Sequence, residues 1–168
     1  MRIDTERLII CPLTPEDLIA KDLAAAARRY GASLPYIGYW EMWNKRRIYK
    51  VKGDLIRKHP AAWLITTAWL IMERDTLKAV GEAGFKGPPV RGAVEIGYSV
   101  FDSFRNKGYM TEAVGALTRM AFFQKEYKVD RVVGLTLPEN IASHRVLEKN
   151  EFARESTYGK YWVWEKCR

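Results

Sequence analysis

The chain has 168 residues, a length that suits one globular domain and leaves no room for a second of ordinary size. Its 48% hydrophobic and 29% charged residues exclude disordered and fibrous proteins, and no apolar run is long enough to span a bilayer. The net charge of +8 favours an anionic partner, which could be nucleic acid, an acidic surface or a phosphorylated cofactor.

Localisation and metal content follow from a few positions. Residues 1–8 lack the apolar core of a signal peptide, so we expect a cytoplasmic protein without membrane contact. Cys11 and Cys167 have neither CxxC spacing nor a neighbouring histidine and are expected to be reduced, although a bridge between two terminal strands is also open. His59 and His144 are isolated along the chain, so no metal site is predicted.

The first part of the chain predicts one strand and two helical regions. Residues 3–12 are typical of a strand, and the run Thr14-Pro15-Glu16-Asp17 then begins a helix that ends at Gly31. Residues 36–59 are aromatic and basic and predict a more irregular helical region. Asn44, Ile48, Val51 and Leu55 recur in it at helical spacing, and the last three are apolar.

The middle of the chain predicts three successive antiparallel strands. Residues 63–73, 79–86 and 93–101 have strand character. The breaks between them, Arg74-Asp75 and the Gly87-Pro88-Pro89 turn, are short connections of the kind that join neighbouring strands.

The last part predicts a parallel crossover and a closing hairpin. Residues 110–121 have one apolar helical face, and residues 131–137 form a buried strand after them. Residues 140–150 predict a short helix, and residues 152–167 predict two strands that turn near Tyr158-Gly159. The chain is therefore expected to form an α/β (α+β) domain.

The segment Arg105-Asn106-Lys107-Gly108-Tyr109-Met110 stands between a predicted strand and a predicted helix. A turn in this position directs free backbone N–H groups and the positive end of the helix dipole to one point, as an anion site requires. Gly108 lets a phosphate approach closely, while Arg105 and Lys107 add positive charge. The segment predicts a pyrophosphate site, although one glycine among basic residues is by itself more typical of a solvated helix start.

Several segments together resemble a known family. They are Val80-Gly81-Glu82-Ala83-Gly84, Val94-Glu95-Ile96-Gly97-Tyr98, Arg105-x-x-Gly108-x-Met110 and Asn140-Ile141-Ala142-Ser143-His144-Arg145-Val146-Leu147-Glu148-Lys149. In this combination the chain resembles the GCN5-related N-acetyltransferases (GNAT), in the branch of the ribosomal-protein-alanine N-acetyltransferases. The opening Thr5-Glu6-Arg7-Leu8-Ile9-Ile10 is similar to that branch too, so the resemblance covers the whole chain. It is weakest over residues 30–62.

The resemblance implies a fold and an activity. The expected fold is a single domain over residues 1–168 with a central mixed, mostly antiparallel, splayed sheet of about seven strands flanked by helices. The expected activity is metal-free transfer of an acetyl group from acetyl-CoA to a primary amine, by direct attack on the thioester. The acceptor would be a small molecule or a peptide, and the protein a monomer or homodimer.

The resemblance also implies cofactor contacts. The pantetheine arm would pair with the splayed strand at Ser99 and Val100, and a backbone N–H near Val100 would hold the oxyanion. Asn140 would both cap the last helix and bind the cofactor, and Lys149 could join the phosphate contacts. The full expected set is Ser99, Val100, Arg105, Asn106, Lys107, Gly108, Tyr109, Met110, Asn140, Ser143 and Arg145.

Catalysis needs a base, because an amine with a pKa of about 10.4 is almost wholly protonated at neutral pH. Glu95, shortly before the thioester position, is the expected base, acting directly or through water. The alternative interpretation is a carboxylate paired with a nearby basic residue, and Glu82 is a weaker candidate base. Some relatives carry, at the position of Leu147, a tyrosine that protonates the departing thiolate. In this chain Ser143 is the nearest hydroxyl expected there.

Two positions depart from the family pattern. The family turn ends in a small residue where this chain has Met110, so this side chain must point away from the phosphates. The glycine that usually follows the last helix is Glu151 here, where a left-handed cap favours glycine. Because the expected cofactor contacts are mostly with the backbone, we interpret these changes as divergence rather than loss of binding.

Two rival functions stay open. The net charge and the aromatic and basic residues 36–50 would suit a nucleic-acid-binding module, but the aromatic side chains are expected to form core or the wall of an acceptor pocket, and no nucleic-acid-binding motif is present. A non-catalytic acyl-CoA sensor would keep the turn and lack a working base. The acceptor is not specified, although a basic rim favours one that carries negative charge.

Overall fold

Eight strands form one sheet in the computed structural model, which describes all of residues 1–168. The strands are β1 (Ile3–Asp4), β2 (Leu8–Pro12), β3 (Ala68–Glu73), β4 (Ala79–Phe85), β5 (Ala93–Val100), β6 (Arg131–Thr136), β7 (Ala153–Tyr158) and β8 (Tyr161–Cys167). The helices are α1 (Pro15–Ala20), α2 (Leu23–Arg29), α3 (Tyr39–Lys58), α4 (Trp63–Thr66), α5 (Tyr109–Phe123) and α6 (Ile141–Lys149), with short 3₁₀ turns at Pro60–Ala62 and Asp102–Phe104.

The sheet is mixed, and its parallel pair opens partway along. The strand order is β1-β2-β3-β4-β5-β6-β8-β7, and only β5 and β6 run parallel. Their pairing stops at Ile96, opposite Gly134, so the last half of β5 has no partner on that side. This confirms the expected mixed, mostly antiparallel, splayed sheet, with eight strands instead of about seven.

Three element predictions are corrected by local backbone geometry. Residues 3–12 form two strands, because the chain turns where Thr5 N donates to Leu8 O at 3.0 Å. The first helix divides at Lys21, whose φ of 54° is left-handed and ends α1 before a new helix begins. Residues 63–66 are helical rather than extended, so β3 begins only at Ala68.

The helix α3 turns a different face to the sheet from the one its sequence indicates. Ile48 and Val51, on the predicted apolar face, are 51% and 58% exposed. Lys45 and Tyr49 are buried instead, and both hydrogen-bond to Glu82 of β4. Polar side chains can be buried where partners exist, and hydrophobic periodicity does not reveal such partners.

The aromatic residues around the start of α3 are exposed. Tyr36, Tyr39 and Trp40 are 94%, 76% and 72% exposed, and Trp43 is 42% exposed. The expectation that they form core is therefore wrong, and their role in the wall of an acceptor pocket stays a prediction. Instead Trp40 contacts Tyr39 and Trp43 edge to face on the helix surface.

The side chain of Met110 is accommodated inside the fold. It is buried at the start of α5, and a Cβ added to Gly81 of β4 would lie only 3.0 Å from its terminal methyl carbon. A glycine on the strand thus makes room for the larger side chain on the helix.

Cys11 is buried and Cys167 is exposed, and both are free thiols. None of the helices combines the length and the apolar character needed to cross a membrane.

Glu151 holds a left-handed backbone conformation that suits glycine better. It follows α6 with a φ of 62° and is 84% exposed, in an ion pair of 2.7 Å with Lys166. We expect Glu151→Gly to stabilise the fold by about 1 kcal/mol, since the left-handed penalty outweighs one exposed ion pair. This would raise the melting temperature in a thermal unfolding experiment by about 2–4 °C. Glu151→Gln removes only the charge, and a gain in this control equal to that of the glycine variant would contradict the explanation.

Candidate functional site

Two cavities meet at the place where the sheet opens. The first, of about 810 Å³, lies between the free half of β5, the turn before α5 and the start of α6. The second, of about 600 Å³, lies between α3, β4 and β5. Tyr98 and Ser99 border both cavities, so the two cavities are neighbours at this point of β5.

The first cavity is lined by every residue of the predicted phosphate turn. Six consecutive backbone N–H groups, those of residues 106–111, donate to no other group of the protein. Asn106 and Gly108 both have left-handed φ angles, 60° and 77°, a backbone pattern that turns successive N–H groups toward one side. Unpaired N–H groups at a helix start form an anion site, so the geometry agrees with a phosphate-binding turn.

A network from the N-terminal segment holds this turn in place. The carboxylate of Glu112 accepts hydrogen bonds from the Thr5 hydroxyl (2.6 Å) and from Arg7 N and Nε (2.9 and 2.8 Å). Arg7 in turn donates to the carbonyl oxygen of Lys107 at 2.9 Å. Burial raises the pKa of Glu112, but these bonds outweigh it and leave its pKa lowered, so the carboxylate stays ionised. This network is not predictable from the sequence, because its members lie about a hundred positions apart.

Basic side chains surround the first cavity. Arg105 pairs with Asp102 at 2.7 Å, and both are largely exposed. Lys107 lies over the ring of Phe104, with its Nζ 5.3 Å from the ring centroid. Arg145 and Lys149, one turn apart on α6, are exposed and belong to no ion pair. The cavity therefore has a cationic rim that can meet further phosphate groups.

The open half of β5 offers backbone groups to the first cavity. Backbone bonds to β4 occur at both ends of the strand, through Glu95 and Phe101. Because such bonds alternate along an antiparallel strand, the odd-numbered residues between them also face β4. The backbone of Val100 therefore points to the opening. The backbone of Ser99 faces β4, so Tyr98 takes its place as the second residue available for pairing.

The start of α6 closes the far side of the first cavity. The side chain of Asn140 caps the helix by accepting a hydrogen bond from Ser143 N at 3.1 Å. The hydroxyl of Tyr98 donates to the Ser143 carbonyl oxygen at 3.2 Å and so bridges β5 and α6. Burial raises the pKa of Tyr98 to about 12. This hydroxyl is therefore a hydrogen-bond donor at neutral pH and a weak acid.

Glu82 is the only carboxylate that lines the second cavity. It lies directly opposite Ser99 in the β4–β5 ladder, beside the junction of the two cavities. Lys45 Nζ lies 2.5 Å from Glu82 Oε2 and 3.3 Å from Ser99 Oγ, and the Tyr49 hydroxyl donates to Glu82 Oε1. Burial raises the pKa of Tyr49, and the neighbouring Glu82 raises it further, so this phenol stays protonated.

Lys52 contributes a buried positive charge to the same cavity. Its ammonium group donates to the carbonyl oxygens of Thr66, Thr67 and Phe85, at 2.7, 3.2 and 2.5 Å. Burial lowers its pKa to about 8, although Glu82 acts in the opposite direction. All three of its protons are used by the backbone, so Lys52 adds charge to the cavity without a free donor.

Glu95 is half-buried and lines neither cavity. It forms an ion pair with Lys86 across the β4–β5 ladder. It lies four positions before Ser99, which corresponds to roughly 13 Å along an extended strand. This arrangement is the one expected for a paired structural carboxylate, whereas Glu82 faces the junction. No group of three or more His, Cys, Asp or Glu side chains has an arrangement that could hold a metal ion.

Comparison with known proteins gives the same family. The sequence profile described as the acetyltransferase (GNAT) domain matches residues 7–153. The Bacillus subtilis protein YjdG, an uncharacterised N-acetyltransferase, is 33% identical over 100 residues, which are 58% of this chain and 58% of YjdG. A second uncharacterised N-acetyltransferase of that organism, YnaD, is 29% identical over 160 residues, or 95% of this chain and 87% of YnaD.

Solved structures share the fold over nearly the whole chain. Ribosomal-protein-S5-alanine acetyltransferase of Vibrio fischeri has a TM-score of 0.65 and 18% identity, covering 99% of this chain and 96% of its own. The ribosomal L7/L12 alpha-N-protein acetyltransferase RimL, solved in complex with coenzyme A, has a TM-score of 0.63 and 19% identity, covering 99% of this chain and 98% of its own. At such identities the likeness shows a common fold.

Proposed function

The chain belongs to the GNAT family of acetyltransferases, and from that premise we propose that it transfers an acetyl group from acetyl-CoA to a primary amine. The observation that carries the proposal is the junction of two cavities at Tyr98 and Ser99, one lined by unpaired N–H groups and the other by a buried carboxylate. Such a junction lets a donor and an acceptor meet without sharing a binding site.

The first cavity suits the acyl donor. The N–H groups of residues 106–111 would hold the pyrophosphate, with Arg105 and Lys107 adding charge. The backbone of Val100 would pair with the pantetheine arm, and Asn140, Ser143 and the basic side chains Arg145 and Lys149 would complete the contacts. When bound, acetyl-CoA supplies an acetyl group activated as a thioester.

The second cavity would receive the amine. A protonated amine must lose a proton before it can attack, and Glu82 is the carboxylate beside the junction. We therefore assign proton removal to Glu82, directly or through water, and treat Glu95 as the ion-pair partner of Lys86. Ser143, which lines the first cavity, would offer its hydroxyl to the departing thiolate. That thiolate needs no strong acid, because its pKa is near the thiol value of about 8.5.

The acceptor is either a small amine or a peptide N-terminus. RimL is named as an alpha-N-protein acetyltransferase, which makes a peptide one candidate here. The function is tested by incubating the protein with acetyl-CoA and a panel of amino acids, amino-acid amides, short peptides, aminoglycosides and polyamines. We expect free thiol to appear only with some amines and a matching acetylated product by mass spectrometry. Acetyl-CoA binding without turnover on any amine would instead favour the sensor.

A further inference from the structure

The charges around the second cavity are unbalanced. Its lining includes one carboxylate, Glu82, and four cationic side chains: Lys45, Arg47, Lys52 and Lys86. With Glu95 counted against its partner Lys86 and Glu41 counted against its partner Lys45, one more positive than negative charge remains. A site that had to attract a polyamine would carry the opposite balance, since like charges repel.

Three of the four cations already have partners. Lys45 is paired with Glu82, and Lys86 is paired with Glu95. Lys52 is buried, and its ammonium protons are directed at three backbone carbonyls. These groups set the potential of the cavity, but their donors are not free to bind a further anion.

Arg47 is the remaining cation. It is exposed on α3, forms no ion pair or side-chain hydrogen bond, and lies 4.8 Å from the ring centroid of Trp43. Stacking on an aromatic ring orients the guanidinium and leaves its edge free for an anion. A guanidinium edge matches a carboxylate with two parallel hydrogen bonds.

Apolar side chains of α3 line the same wall. Ile48 and Val51, exposed to solvent rather than packed in the core, both border the cavity next to Arg47. The volume of about 600 Å³ is in the range of small-molecule sites. The cavity therefore presents an apolar wall, a free guanidinium at the same helix and a carboxylate at the junction.

We infer that the acceptor is a small amine that also carries a carboxylate and an apolar side chain, as a free apolar amino acid does. The amine would approach Glu82 at the junction, the side chain would pack on Ile48 and Val51, and the carboxylate would bind Arg47. This inference rests on the proposed function, because it assigns the acceptor of that reaction. A peptide N-terminus would lack the carboxylate, since its α-carboxyl group is an amide.

The test uses two ligands in which coenzyme A is covalently linked to the acceptor. Binding of coenzyme A in the first cavity then holds a weakly binding acceptor at the junction. In the first ligand, a –CH2–CO– group joins the sulfur of coenzyme A to the amino nitrogen of leucine. In the second, the same group joins it to the amino nitrogen of leucinamide. Calorimetry measures both affinities together with that of coenzyme A alone. We expect the leucine ligand to bind about tenfold more tightly than the leucinamide ligand, as one charge-assisted contact predicts.

Variants separate the Arg47 contact from general charge. In Arg47→Gln the tenfold preference should fall to about one, while affinity for coenzyme A stays unchanged. Arg46→Gln removes the same charge from an exposed neighbour that does not line the cavity, and should keep the preference. Equal binding of the two ligands by the wild type, or a preference for leucinamide, would overturn the inference and leave the proposed function standing. Failure of coenzyme A itself to bind would overturn both.

Discussion

Gly108→Val is expected to weaken acetyl-CoA binding by more than about thirtyfold, a loss of about 2 kcal/mol. Gly108 begins α5 with a φ of 77°, which a β-branched residue can hold only with strain. A Cβ at this position would also lie 3.4 Å from a guanidinium nitrogen of Arg7, which holds the turn through Lys107. When the turn relaxes, the N–H groups of residues 106–111 no longer point to one side. Titration calorimetry with acetyl-CoA measures the loss directly.

Gly159→Val is the matched control for this experiment. Gly159 also has a left-handed φ, 58°, but it lies in the exposed β7–β8 turn with nothing within 4 Å of an added Cβ. Both variants therefore carry a similar backbone penalty, and only one of them lies at the first cavity. Retained binding in Gly108→Val, or an equal loss in Gly159→Val, would refute the assignment of the turn to the pyrophosphate.

Glu82→Gln is expected to lower turnover by at least about a hundredfold while acetyl-CoA affinity stays within about twofold. Glu82 is the carboxylate at the junction, and its amide replacement cannot accept a proton. Glu95→Gln should keep most of the activity, because Glu95 lines neither cavity. Initial rates of thiol release with the best amine of the panel measure both effects. If Glu95→Gln lost turnover and Glu82→Gln kept it, Glu95 would be the base.

A stability control is needed because Glu82 has a buried partner. Removing its charge leaves the buried Lys45 with only Glu41, 3.8 Å away, as an ionic partner, and breaking a buried ion pair costs about 3–5 kcal/mol in comparable cases. The double variant Lys45→Met/Glu82→Gln removes both charges, so its melting temperature should recover most of the loss. Its turnover should stay as low as that of the single variant. Recovery of activity together with stability would show that Glu82 acts only in folding.

The predicted anion site and its place in the fold could be found in the sequence because they depend on local order. A strand, the turn at residues 105–110 and a helix follow one another directly, and Gly108 supplies the left-handed backbone that such a turn needs. Asn140 could be predicted as a helix cap for the same reason, since it bonds Ser143 only three residues further on. Neighbours along the chain determine these features.

The identity of the carboxylate at the junction could not be found in this way. Glu82 and Glu95 both lie on strands of similar composition, and only the register between β4 and β5 sets Glu82 opposite Ser99 and Glu95 opposite Lys86. A shift of one residue would have turned each side chain to the other face of the sheet. Register depends on the packing of the whole sheet, so the sequence offered no means to choose between the two.

The orientation of α3 shows the same division between local and tertiary information. By itself, the sequence indicated an irregular helical region over residues 36–59 that is rich in basic side chains, and its apolar spacing indicated Ile48 and Val51 as the buried face. The tertiary structure decided otherwise, because Lys45 and Tyr49 find a carboxylate 37 and 33 positions away. Paired charges can enter a core, and the apolar residues that they displace then line the second cavity.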